Sequence, residues 1–142
     1  MPSTGPIDRL RASDDLFARF GILAAYAFGS RVSGRPRPDS DLDVGYYLAS
    51  DPHRAGLPLD EDLRLQDELT RRAGCEVDLL ALAEAPLELR GRALVDGVRL
   101  YSGDDVARVG LERDLLGRYH DYREVFERMH RERLARIAEE GL

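Results

Sequence analysis

Phe28-Gly29-Ser30-Arg31-Val32-Ser33-Gly34 and, a short stretch later, Asp39-Ser40-Asp41-Leu42-Asp43-Val44 decide how this chain is read. The first closes an apolar run, Ile22 to Phe28, with a Gly-Ser turn. The second opens another run, Leu42 to Leu48, with two carboxylates two residues apart. Side chains at i and i+2 of a strand point the same way, so Asp41 and Asp43 aim at one spot. Neighbouring carboxylates repel unless a cation lies between them. Oxygen ligands of this kind suit Mg²⁺, which keeps several waters and binds substrate phosphates as well. Gly29 and Ser30 offer backbone N–H groups and a hydroxyl for such phosphates. The pattern predicts a site for metal-assisted nucleotidyl transfer.

The 142 residues are enough for one domain with a real core, and the 43% apolar share is ordinary for a soluble protein. A formal charge of −6 argues against binding long nucleic acid, which needs a basic face. It does not argue against nucleoside triphosphates, because a divalent metal can carry the positive charge. All 21 basic residues are arginine, which removes any Walker A lysine. The single Cys75 excludes an internal disulfide and a cysteine-rich zinc site. No apolar run approaches a membrane span and no signal peptide opens the chain, so a reducing cytoplasm is the expected setting.

Around the opening stretch, the order of elements predicts an α/β fold with three or four strands. Residues 1–6 read as a tail, and Ile7 to Phe20 as one helix ended by Gly21. Ile22 to Phe28 is apolar enough for a strand buried on both faces. Arg35-Pro36-Arg37-Pro38 is loop, Leu42 to Leu48 the second strand, and Asp51 to Pro58 loop. Leu59 to Ala73 is a helix with acids early and Arg71-Arg72 late, stopped by Gly74. Glu76 to Leu82 is a third strand, Pro86 to Val95 a short helix, and Val98 to Tyr101 an edge strand. Asp104 to Glu140 is a long helical segment with a break expected near Gly110 or Gly117. Residues 1–103 form the core, and 104–142 a helical extension of the same domain.

The third strand carries Asp78 inside an apolar run. Such a carboxylate is paired, hydrogen-bonded, on a metal, or on an edge in water. If the second and third strands are neighbours, Asp78 joins Asp41 and Asp43, and three carboxylates suffice for two metal ions. Asp60-Glu61-Asp62 has the same spacing, but it opens a helix, where residues two apart diverge, and it reads as helix-start acids. Arg31 either touches a phosphate or lies in solvent. One ring of Tyr46-Tyr47 is expected in the core and the other near the surface, with base stacking as a lesser use. Arg113 with His120, and Arg123 with His130, read as a solvated or partner-facing surface. Cys75 reads as a small buried residue.

The Gly29-Ser30-Arg31, Ser40-Asp41-Leu42-Asp43 and Glu76-Val77-Asp78 blocks resemble the nucleotidyltransferase superfamily that includes DNA polymerase β. The small size and the segment from Asp78 through Pro86-Leu87-Glu88-Leu89-Arg90 to Gly97-Val98-Arg99-Leu100-Tyr101 resemble its minimal nucleotidyltransferases. The resemblance implies the nucleotidyltransferase fold: a short mixed β-sheet with flanking helices and a C-terminal helical extension. It implies ATP as substrate, two Mg²⁺ ions on Asp41, Asp43 and Asp78, and a nucleotide held by Gly29, Ser30, Arg31 and Ser40. It further implies an antitoxin that transfers AMP to a tyrosine of a HEPN ribonuclease toxin. Transfer to a small-molecule hydroxyl, and inhibition by contact alone, are the alternatives. Finally, Leu111, Leu115, Leu116, Tyr119, Tyr122, Val125, Phe126 and Met129 form an apolar stripe. Part of it should cover the sheet, and the rest should serve a partner or self-association.

Overall fold

The computed structural model describes residues 5–29, 32 and 41–140. Four strands, β1 (Ile22–Phe28), β2 (Leu42–Leu48), β3 (Val77–Ala81) and β4 (Val98–Ser102), form one mixed sheet in the order β3-β2-β1-β4. β1 pairs antiparallel with β2 and β4, while β2 and β3 run parallel. The parallel pair is joined through a helix, as such a crossover requires. The helices are α1 (Pro6–Arg11), α2 (Asp14–Arg19), α3 (Leu59–Ala73), α4 (Leu87–Asp96) and α5 (Asp105–Glu139), with a 3₁₀ turn at Leu82–Glu84.

β1 is buried at every position because both sheet faces are covered. On one face Ala25, Val44, Tyr46 and Leu79 pack against Leu10 of α1, Phe17 of α2, and Leu65 and Leu69 of α3. On the other, Leu23, Tyr26, Phe28 and Tyr47 pack against Leu82 and Ala93, with Leu89 of α4 and Leu111 of α5 alongside. Tyr46 and Tyr47 are therefore both buried, on opposite faces, where one ring had been expected near the surface. The Tyr46 hydroxyl donates to Asp62 (2.9 Å) and accepts from the Leu57 amide (2.8 Å).

The predicted bounds of β1, β2 and α3 match the structure; Gly74, at φ 74°, stops α3. The expected helix over Ile7 to Phe20 is instead two, and α1 already begins at Pro6. Ser13 is buried between them and its hydroxyl donates to the Arg9 carbonyl (2.9 Å). A bidentate pair from Arg72 to Asp15 (2.8 and 2.9 Å) ties α2 to α3. Cys75 is half-buried against the first core.

α5 runs 35 residues without a break at Gly110 or Gly117. A helical glycine costs about 1 kcal/mol relative to alanine, and the anchored start of the helix offsets that. Asp104 caps it by accepting from the Ala107 amide (3.1 Å). Arg108 is buried; its Nε donates to the Ser102 hydroxyl (2.9 Å) and its Nη1 to Glu112. Glu112 also accepts from the Tyr26 hydroxyl (3.2 Å), bolting α5 to the central strand. Burial, and then the Glu112 charge, push the Tyr26 phenol well above its ordinary range. Among the described residues no helix is long and apolar enough to cross a membrane.

Gly97 joins α4 to β4. A Cβ there would lie 2.1 Å from the Ala93 carbonyl oxygen and 2.7 Å from that of Ala27. Both are backbone atoms of packed elements, so neither can yield. Gly97→Ala is expected to destabilise the fold by about 1–3 kcal/mol, read as a lower melting temperature. An unchanged melting temperature would mean that this junction is looser than the structure has it.

Candidate active site

Asp43 and Asp78 are register partners across the parallel β2–β3 pair. Neighbours Leu42, Val44, Val77 and Leu79 point into the first core, so alternation sends both carboxylates to the opposite face, where α4 lies. Asp41, two residues before Asp43, belongs to the same strand end; it and Asp78 are exposed, and Asp43 is half-buried. Burial first, then the charges of Asp78 and Asp41, raise the Asp43 carboxyl above its ordinary value. Asp43 is therefore close enough to both Asp78 and Asp41 to feel their charges.

Gly29 follows the β1 residue paired with Asp43, at φ +91°. A Cβ on Gly29 would come within 2.2 Å of Asp43 Oδ2. Only glycine lets the turn take this conformation and come this close to the carboxylate. Together with Phe28, and with Leu89, Arg92 and Asp96 of α4, Gly29 and Asp43 line a cleft. Ser30, Arg31 and Ser40, the other expected nucleotide contacts, lie outside the described residues.

The expected gathering of three metal ligands is only partly present. Among the described residues no group of three His, Cys, Asp or Glu side chains is close enough to hold a metal ion. What the strand register supplies is a facing pair, Asp43 and Asp78, with Asp41 nearby. That donor set fits Mg²⁺, which commonly takes one or two carboxylates and completes its shell with water and substrate phosphate. It does not form an all-protein cage.

Asp60, Glu61 and Asp62 are in the first turn of α3, as helix-start acids, and Asp62 accepts from Tyr46. His120 and His130 are exposed on α5, His130 stacked on Phe126 at 6.3 Å between ring centroids. Arg123 pairs with Glu127 (3.3 Å) and lies over the Tyr119 ring. The cleft wall of α4 was missed in the sequence. Its only signal there is the helical spacing of Leu89, Arg92 and Asp96, which places them on one face.

The family model for Polymerase beta, Nucleotidyltransferase matches residues 14–106, most of the chain. The chain belongs to this family. The matched segment holds the sheet, Gly29 and all three acids, so the mixed sheet with flanking helices is the nucleotidyltransferase fold. Solved structures agree. A toxin–antitoxin crystal structure with AMP-PNP superposes at TM-score 0.64 and 17% identity, covering 89% of this chain and 98% of its own. The Shewanella oneidensis complex of a tri-AMPylated HEPN toxin with an MNT antitoxin gives 0.62 and 16%, covering 89% and 96%. A minimal nucleotidyltransferase gives 0.51 and 29%, covering 68% of this chain and 98% of its own. No curated protein matches the sequence.

Proposed function

We propose that this nucleotidyltransferase-family chain is a Mg²⁺-dependent antitoxin enzyme of the cytoplasm that transfers AMP from ATP to a tyrosine of a HEPN ribonuclease toxin. The observation that carries the reading is the facing pair of Asp43 and Asp78 at a strand end, with the Gly29 turn pressed against Asp43. The similarity in fold to antitoxins crystallised with an AMPylated HEPN toxin and with AMP-PNP supports the choice of nucleotide and partner. The exposed Tyr122, Phe126 and Met129 of α5 favour a protein acceptor over a small molecule.

In the reaction, the backbone at Gly29 and the neighbouring Ser30 hold the β- and γ-phosphates, with Arg31 and Ser40 completing the nucleotide site. The facing Asp43 and Asp78, with Asp41 nearby, would hold Mg²⁺, and the metal would supply positive charge to offset that of the transferred phosphate and the leaving pyrophosphate. The acceptor tyrosine oxygen attacks the α-phosphorus as the bond to the β-phosphate oxygen breaks. Asp78, the more exposed of the facing pair, accepts the tyrosine proton. Burial and like charge disfavour an unneutralised carboxylate at Asp43, which suits it to a cation rather than to solvent.

ATP should bind only with Mg²⁺ or Mn²⁺ present, because Asp41, Asp43 and Asp78 repel a bare triphosphate. Calorimetric titration with and without EDTA measures this. Equal affinity in the two conditions would refute the metal-dependent site.

A further inference from the structure

The face of α5 that packs on the body does not end where the body ends. Leu115 and Tyr119 are buried, and Tyr119 fits against Gly91 of α4, where a Cβ would stand 2.2 Å from its ring. Further along the same face, at helical spacing, Tyr122 is 37% exposed, Phe126 57% and Met129 61%. The Tyr122 and Phe126 rings stack at 6.0 Å between centroids. These aromatics form one wall of a groove whose other wall is α4.

Arg92 and Asp96 line both this groove and the cleft that holds Gly29 and Asp43. They are one helical turn, about 6 Å, apart. A polypeptide lying along the groove against Tyr122 and Phe126 therefore runs on past Arg92 and Asp96 into the cleft that holds Asp43. The fixed charges of the groove are Arg92 and Arg123 against Glu88, Asp96 and Glu127, an excess of acid. Arg123 is already paired with Glu127. The occupant these features suit is a polypeptide segment with an apolar or aromatic residue flanked by basic ones.

We infer that the α4–α5 groove is the docking track for the acceptor polypeptide, delivering its hydroxyl past Arg92 and Asp96 to the carboxylates. This rests on the acceptor being a protein, as proposed above, and goes further in assigning the surface that selects it. Tyr122 and Phe126 are exposed and do not line the cleft of Gly29 and Asp43, so changing them spares the carboxylates and the core.

The test compares wild type with Tyr122→Ser/Phe126→Ser, using the purified HEPN-domain protein as acceptor and saturating Mg²⁺-ATP. The double variant should raise the KM for the acceptor at least about tenfold, with kcat at saturating acceptor and ATP affinity unchanged. Phe126→Leu should restore most of the loss. An unchanged KM would overturn the inference, as would a wild-type dimer that becomes monomeric in the variant, since the groove would then be a self-contact. If wild type transfers nothing, direct titration of the HEPN-domain protein separates the two claims. Binding lost only in the double variant keeps the groove and discards the transfer reading; no binding, or equal binding by both, discards the groove.

Discussion

Asp43→Asn is expected to lower the transfer rate at least roughly a hundredfold while making the metal-free protein more stable. The substitution keeps the shape and one acceptor oxygen but removes the charge from a facing carboxylate pair. Even an outer-shell partner of a metal is worth about 10- to 100-fold, and a direct ligand is worth at least that. The stability change has the opposite sign. Burial, then Asp78 and Asp41, raise the folded-state Asp43 carboxyl above its ordinary value of 3.8. The folded protein therefore holds this proton more tightly than the unfolded chain does. No penalty exists well below pH 3.8, and it grows as pH rises through the raised folded value. At neutral pH, without metal, the asparagine variant should melt higher than wild type, and the gap should close as the pH falls towards 3.8. Thermal melting across pH, beside rate measurements, checks both halves. Wild-type rates, or a large fall in melting temperature at neutral pH, would make Asp43 a structural residue.

Gly29→Ala should be nearly as damaging to transfer, for a steric reason. The new Cβ would fall 2.2 Å from Asp43 Oδ2, and the backbone is at φ +91°, which side chains rarely adopt. The carboxylate must move, and a displacement of about 1 Å can cost about a hundredfold in rate. Backbone strain adds about 1–2 kcal/mol of instability. Gly21→Ala is the control, because Gly21 also has positive φ, at +70°, but a Cβ there meets nothing within 4 Å. Gly21→Ala should lose stability and keep the transfer rate. If the two variants lose activity equally, strain alone explains Gly29 and its approach to Asp43 is incidental.

The parts of this fold that were legible in the sequence are those set by local pattern. Apolar runs gave β1 and β2 their bounds, because strands of a sheet covered on both faces need no polar alternation. Acids before arginines and a terminal glycine gave α3. The pairing of Asp43 with Asp78 could be read only on the condition that β2 and β3 are neighbours, a tertiary fact that the sheet order supplies. The split at Ser13 depends on burial of a hydroxyl that a helical rhythm does not register. The continuity of α5 depends on Tyr26, Ser102, Arg108 and Glu112 meeting from distant parts of the chain. The role of Arg92 and Asp96 arises only where α4 closes over the sheet end.

The central claim is that Asp43 and Asp78, beside Gly29, carry out adenylyl transfer to a protein. The most direct measurement incubates the chain and the HEPN-domain protein with Mg²⁺ and ATP labelled at either the α- or the γ-phosphorus. The account predicts protein-bound label from α-labelled ATP alone, on a tyrosine of the HEPN-domain protein, lost with EDTA and in Asp43→Asn. Label from γ-labelled ATP, or α-label that survives in Asp43→Asn, would contradict it.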